Sequence, residues 1–166
     1  METNYEILEN QGRKLFMDFA LTLPEVDHIH FTQGQFNSTD IYYMSGYAET
    51  FSELKTRDYK HTQRWNGTPE GWIFEKHKWN ELKAINATAH THSTYINIFQ
   101  DAMVVWDLTH MKEEEMGWFW KKTNKNHLCQ EKIWKEVCFL PISKASHIYL
   151  HEFKIENTKH NLNQNP

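Results

Sequence analysis

The chain contains few of the residues that mark several easily recognised protein classes. It has only two cysteines, six glycines and four prolines in 166 residues. Two cysteines are too few for the disulfide framework of a small secreted domain, and Cys129 and Cys138 are too far apart for a Cys-x-x-Cys motif. Repeats and low-complexity linkers are also missing from the sequence. We therefore expect free, buried thiols in an ordinary folded domain.

Long apolar runs and an excess of basic residues are absent as well. No apolar run approaches the roughly 20 residues that span a bilayer, and the first residues lack the basic start and apolar middle of a signal peptide. The formal net charge is −4, whereas a general nucleic-acid binder needs a basic face. These features predict a cytoplasmic protein with no membrane partner and no nucleic-acid partner.

What the chain does have is aromatic side chains: seven Trp, seven Tyr and ten Phe. Each buries a large area, so they can build a core although the overall hydrophobic content is only 39%. We expect one domain over residues 1–156, followed by a polar, flexible tail over residues 157–166.

Periodicity and turn residues predict alternating helices and strands, which favours an α/β domain. Helices are predicted at 5–23, 70–82, 93–102, 128–138 and after a Thr109 cap; strands are predicted at 26–31, 40–44, 85–90, 103–107 and 146–155. The segment 50–59 is polar and is predicted to hold at most a helical turn.

Two histidines one residue apart, His90 and His92, follow the apolar segment that begins at Ala84. Alternate residues of a strand point the same way, so both imidazoles can reach one point. A catalytic Zn²⁺ site usually has three protein ligands and one open position. The pair therefore indicates two thirds of a metal site, and the alternative is a pair of histidines in a polar turn.

Three segments in order resemble the class II aldolase/adducin family. They are 32–37 (Thr-Gln-Gly-Gln-Phe-Asn), 43–46 (Tyr-Met-Ser-Gly) with 54–58 downstream, and 85–93 (Ile-Asn-Ala-Thr-Ala-His-Thr-His-Ser). The resemblance implies an α/β fold with a central, mostly antiparallel sheet flanked by helices in three layers. It also implies a metal-dependent lyase, aldolase or epimerase that acts on a small phosphorylated sugar or a related hydroxy-carbonyl compound, which places the enzyme in carbohydrate metabolism. Family enzymes are cyclic tetramers, so a homo-tetramer is expected.

The same resemblance implies roles for individual residues. His90, His92 and His147 would hold Zn²⁺ or another divalent transition metal, with His151 as the alternative third ligand. The metal would act as a Lewis acid while a carboxylate moves the proton; Glu70 is the candidate base and Glu75 the second choice. The substrate phosphate would lie on turn residues, namely Gly34, Asn37, Ser45, Gly46 and Thr68.

Two other interpretations compete with this one. The tripeptides His30-x-Thr32 and His92-x-Thr94 resemble those of 2H phosphodiesterases, in which paired histidines are the general acid and base and the Thr hydroxyls hold the phosphate. The third hypothesis is a non-catalytic, adducin-like protein-binding module, with Trp65, Trp118 and Trp120 at its interface.

Overall fold

The computed structural model describes residues 4–32, 39–61, 71–86, 90–126 and 129–151. Within these ranges the helices are α1 (Asn4–Ala20) and α2 (Lys76–Ile85). The strands are β1 (Val26–Phe31), β2 (Ile41–Ser45), β3 (Ala48–Thr56), β4 (Trp72–Glu75), β5 (Thr91–Ile98), β6 (Ala102–Asp107), β7 (Phe119–Asn126), β8 (Cys129–Leu140) and β9 (His147–Leu150).

The strands form a large sheet and a small one. The large sheet has the order β1-β2-β3-β5-β6-β9, and all its neighbours are antiparallel except β3 and β5, which are parallel. The small sheet is antiparallel with the order β4-β8-β7. The predicted α/β class with a mostly antiparallel central sheet and flanking helices is therefore confirmed, whereas a specifically aldolase-like arrangement is not.

Each face of the large sheet has its own apolar core. On the α1 face, Phe16 and Ala20 of the helix pack with Ile41, Ile96 and other strand residues. On the opposite face, which we call the α2 face, Tyr95 and Trp106 of the large sheet belong to one buried cluster with Trp79 of α2 and with Trp72 and Phe74 of the small sheet. Alternate residues of β3 and β5 consequently enter different cores.

A glycine allows α1 to approach the large sheet closely. A Cβ added to Gly12 would lie 1.8 Å from the hydroxyl oxygen of Thr56 on β3, far inside any van der Waals contact. Glycine lowers the helix propensity of α1 at this position, but it allows the helix and the strand to lie in close contact.

Several predicted elements are wrong. The segment predicted as polar, 50–59, lies largely in β3, and the predicted helices at 93–102 and 128–138 are strands β5 and β8 for most of their length. The predicted 70–82 helix is the short strand β4 followed by α2, and the helix predicted after Thr109 is only a 3₁₀ turn at Glu113–Glu115. Tertiary pairing overrides local propensity at each of these places.

Among the described residues, neither helix is long and apolar enough to cross a membrane. The predicted tail at 157–166 lies outside the described residues, and the single-domain boundary at 156 stays a prediction.

Candidate functional site

The predicted histidine ligands do not meet in this fold. His90, in a turn with a φ of +89°, directly precedes β5, and His92 is an exposed residue of β5. His147 pairs with Val105 of β6, which in turn pairs with Ile96 of β5. His147 is therefore displaced from His92 by two strand spacings within the sheet and by four residues along the strand direction. The distance between their backbone positions is about 16 Å. That separation exceeds what two imidazoles, each about 2.1 Å from an ion, can bridge.

The reserve residues lie on two different elements, Glu75 at the end of β4 and His151 after β9. Glu75 accepts a hydrogen bond from Lys135 at 2.9 Å and lies 3.1 Å from His77. His151 follows β9, and its backbone N–H donates to the carbonyl of Asp101. Within the part of the chain that the structure describes, no group of three or more His, Cys, Asp or Glu side chains is arranged to hold a metal ion.

The predicted phosphate-binding residues are only partly visible. Gly34, Asn37, Thr68 and the candidate base Glu70 lie outside the described residues. Ser45 is the last residue of β2, and Gly46 lies in the turn between β2 and β3, where it has a φ of +62° and donates its N–H to the carbonyl of Glu25. Their geometry is that of a tight hairpin turn.

The two His-x-Thr tripeptides do not face each other. His30 lies on β1 and His92 on β5, three strand spacings apart in the sheet, which is about 14 Å. Across the paired strands, His30 is in register with Ser93 of β5. The side chain of His92, the residue next to Ser93, therefore points to the opposite face of the sheet from that of His30. The hydroxyl of Thr94 is hydrogen-bonded to Ser52 at 2.6 Å. The 2H phosphodiesterase hypothesis is therefore wrong.

The structure instead brings together two carboxylates that the sequence analysis did not consider. Asp40 immediately precedes β2, and its N–H donates to the carbonyl of Ser52 on β3 at 2.8 Å. Its carboxylate oxygen Oδ2 accepts a hydrogen bond from the N–H of Leu54 at 2.8 Å. Asp40 is thus held against β3 by its backbone and by its carboxylate. The two bonds lie on either side of Glu53, the neighbouring carboxylate.

Glu53 is the buried member of this pair. It is 1% exposed, and because it alternates with Leu54 of the α1 core it points to the α2 face. Two lysines neutralise it. Lys55, two residues along the same face, lies 2.6 Å from Oε1, and Lys78 of α2 lies 3.1 Å from Oε2. We call Asp40, Glu53, Lys55 and Lys78 the carboxylate cluster.

The two carboxyl groups have opposite pKa shifts. Burial, and then the charge of Glu53, raise the pKa of Asp40 from 3.8 to about 6. Burial also opposes ionisation of Glu53, but Lys55 and Lys78 together outweigh it, so the pKa of Glu53 is lowered. At neutral pH the cluster therefore holds a buried, paired anion next to a second carboxylate whose charge is disfavoured. A cation bound beside Asp40 would relieve that cost.

Further cations extend the cluster along the α2 face. Arg57, just after β3, donates from Nε to the side-chain oxygen of Asn97 at 2.9 Å and from Nη2 to the hydroxyl of Tyr95 at 3.2 Å. Asn97 pairs with Lys55 and Tyr95 pairs with Glu53 across the parallel β3–β5 ladder. The exposed Lys60 follows three residues later. Lys55, Lys78 and Arg57 are thus the positive charges that the contacts place beside the carboxylate pair.

The sequence carried one signal for this cluster. The triplet Glu53-Leu54-Lys55 places an acidic and a basic residue on the same side of a strand, and Asp40 immediately precedes β2. This signal was missed because the segment was interpreted as polar and non-strand.

Comparisons with known proteins do not identify a family for the chain. No protein-family model matches the chain, and no curated protein matches it. Among solved structures, Hjc, a Holliday junction resolvase from Archaeoglobus fulgidus, is similar with a TM-score of 0.44 and 11% identity; the match covers 79% of this chain and 96% of that one. A likeness of this size carries no argument about function.

The aldolase interpretation is overturned. The absence of a matching family model and the separation of His92 from His147 contradict the class II aldolase/adducin resemblance. The phosphorylated small-molecule substrate, the lyase and carbohydrate-metabolism assignments, the adducin-like module and the homo-tetramer lose their basis with it. The exclusion of nucleic acid is also contradicted, because a net charge of −4 says nothing about how charge is distributed.

Proposed function

We propose that the chain hydrolyses phosphodiester bonds of nucleic acid at the carboxylate cluster, with a divalent cation held by Asp40 beside the lysine-paired Glu53. The observation that carries the proposal is the placement of Asp40 beside the buried Glu53, with the pKa of Asp40 raised to about 6. A carboxylate whose pKa is strongly perturbed by burial and by a specific neighbouring charge is a candidate functional group.

The donor set of the cluster fits a hard cation. Mg²⁺ prefers oxygen ligands and is commonly bound through one or two carboxylates together with waters and substrate phosphates. Mn²⁺ accepts the same ligands. The sequence-based expectation of a divalent metal is thus retained as part of the proposal, with carboxylate oxygens in place of histidine nitrogens. Such an ion supplies Lewis acidity towards a phosphoryl oxygen and lowers the pKa of water.

The lysines have complementary tasks. Lys78, which is 20% exposed on its side chain, keeps Glu53 ionised from the α2 side. The side chain of Lys55 is 36% exposed, so it reaches solvent as well as pairing with Glu53. There it stabilises the negative charge that develops on the phosphoryl oxygens during attack by water.

The surrounding charges favour a polymeric phosphate over a small one. Lys55, Arg57 and Lys60 follow Glu53 within seven residues of sequence. A single phosphate at the carboxylate pair occupies one of these cations, whereas a nucleic-acid strand presents further phosphates to the others. A cytoplasmic location, which the sequence indicates, belongs to the same proposal.

The test is cleavage of labelled single-stranded, duplex and branched DNA and of RNA, with Mg²⁺ or Mn²⁺ and with excess EDTA. We expect cleavage by the wild type with either cation, none with EDTA, and a loss of at least 100-fold in Asp40→Asn and Glu53→Gln. Glu114→Gln removes an exposed carboxylate from the 3₁₀ turn and serves as the control of equal charge change. Cleavage that survives in Asp40→Asn, or that EDTA does not stop, would refute the proposal.

A further inference from the structure

The hairpin of β7 and β8 extends beyond the body of the small sheet. The strand β4 pairs with β8 only over residues 137–140, whereas β7 pairs with β8 as far as Asn126 and Cys129. Among the described strands, residues 129–136 of β8 therefore have one neighbour, β7, and at about 3.4 Å per residue they span about 27 Å. We call residues 119–126 and 129–136 the arm. Lys135 anchors its base through the hydrogen bond to Glu75.

One face of the arm displays two tryptophans to solvent. Trp120 pairs with Glu136, and Trp134 pairs with Lys122 one step further along the same face. Both tryptophans are 64% exposed. Closer to the body, this face of β8 carries Cys138 and Leu140, which are buried in the core. The arm thus continues a core-facing surface into solvent, with its largest aromatic side chains uncovered.

The arm is also basic in an acidic chain. Residues 119–136 contain five lysines and two glutamates, a formal charge of +3, whereas the whole chain carries −4. Lys122 and Lys132 lie on the same face as the tryptophans, since Lys122 is opposite Trp134 and Lys132 is two residues before it. A patch that combines aromatic faces with a positive potential is complementary to a polyanion whose units are flat and aromatic.

We infer that this face of the arm binds single-stranded nucleic acid, with bases stacked on Trp120 and Trp134 and phosphates held by Lys122 and Lys132. Base stacking on exposed aromatic side chains, combined with cationic contacts to the backbone, is the general way in which proteins hold single strands. The choice of nucleic acid rests on the proposed function of the carboxylate cluster. The arm would hold the strand that the cluster cleaves.

The inference requires binding that is independent of catalysis. We would titrate a fluorescein-labelled oligo-dT with protein in EDTA and follow anisotropy and tryptophan quenching. Stacking contributes about 1–3 kcal/mol per base, so the double variant Trp120→Ala/Trp134→Ala should bind at least tenfold more weakly. Circular dichroism verifies that this variant folds. Because both side chains are exposed, its melting temperature should match that of the wild type.

The lysines are tested by salt dependence. Removing two phosphate contacts from a single strand should reduce the slope of log K against log salt by about 1.4. Lys122→Gln/Lys132→Gln should show this reduction. The control Lys14→Gln/Lys112→Gln, which removes two exposed lysines outside the arm, should leave the slope unchanged. Equal slopes in both double variants would refute the assignment.

The remaining outcomes distinguish failure of the arm proposal from failure of the proposal for the carboxylate cluster. Asp40→Asn should keep its oligo-dT affinity in EDTA and lose cleavage, whereas the tryptophan variant should keep kcat and raise KM. If the wild type never cleaves but its binding depends on the tryptophans, the cluster proposal fails and the arm proposal holds. If the tryptophan variant binds like the wild type, the arm proposal fails. It also fails if wild-type affinity is absent and the tryptophans instead drive dimerisation in sedimentation velocity or binding to phosphatidylserine vesicles.

Discussion

Replacing Asp40 by Asn should make the protein more stable while it abolishes cation binding. The pKa of Asp40 is raised from 3.8 to about 6, mainly because burial disfavours its charge. A shift of this size corresponds to about 3 kcal/mol between the neutral and ionised forms. The Asn side chain is neutral at every pH, and its Oδ1 can still accept the hydrogen bond that Leu54 donates to Asp40.

The sign follows from proton binding. Between pH 3.8 and about 6 the folded chain holds the proton of Asp40 more tightly than the unfolded chain does, so stability falls as the pH rises through this window. The favourable contribution is complete below pH 3.8 and lost above about pH 6. Asp40→Asn should therefore exceed the wild type by up to about 3 kcal/mol at pH 8, and by about half of that at pH 5.

Urea unfolding in EDTA at pH 5 and pH 8 measures both differences. Asp101→Asn is the matched control, because hydrogen bonds and charge from His61 outweigh burial and lower the pKa of Asp101. That variant should be less stable than the wild type at pH 8. An Asp40→Asn protein that is less stable than the wild type at pH 8, or whose advantage is the same at both pH values, would refute the reasoning.

Four further predictions concern single groups. The Kd for Mn²⁺, measured by isothermal titration calorimetry, should rise tenfold per pH unit below about 6, because Asp40 must lose its proton to bind the ion; a flat profile would exclude Asp40 as a ligand. Glu53→Gln should lower the free energy of unfolding by about 2 kcal/mol, since Glu53 is the buried partner of two lysines; an unchanged urea midpoint would contradict this. Gly12→Ala should cost about 1–2 kcal/mol through the clash with Thr56, and combining it with Thr56→Ala should recover part of the loss, because the Cβ of residue 56 remains 3.0 Å away. Burial raises the pKa of Cys138 to about 12, so iodoacetamide should label the peptide with this thiol only after denaturation, as mass spectrometry would show.

Elements with simple hydrophobic patterns could be predicted from the sequence. The bounds of β1 agree with the predicted 26–31 strand, and α1, β2 and β6 lie within a few residues of their predicted positions. These segments present one apolar face to a core on their own, so local pattern and tertiary structure agree. The prediction failed where a segment depends on its partners. β8, for example, is a strand because β4 and β7 pair with both of its edges near Val137.

The candidate site was missed for a related reason. Ser52 and Glu53 are fully buried polar residues in the middle of a sheet, and a buried glutamate looks like a solvent-exposed one in the sequence. Their partners come from distant positions, Thr94 for Ser52 and Lys78 for Glu53. The histidine pair predicted a metal site because its spacing is local in the sequence, but in the fold His92 lies far from His147. Spacing identifies ligands only when the elements that carry them are placed correctly.

The central claim is that Asp40 and Glu53 form a cation-dependent nuclease site, and cleavage of a closed circular single-stranded DNA tests it most directly. The wild type, Asp40→Asn and Glu114→Gln should be compared with Mn²⁺ and with EDTA. The account predicts linear product from the wild type and Glu114→Gln only when Mn²⁺ is present, and intact circles with Asp40→Asn. Intact circles with the wild type, or equal cleavage by Asp40→Asn, would contradict it.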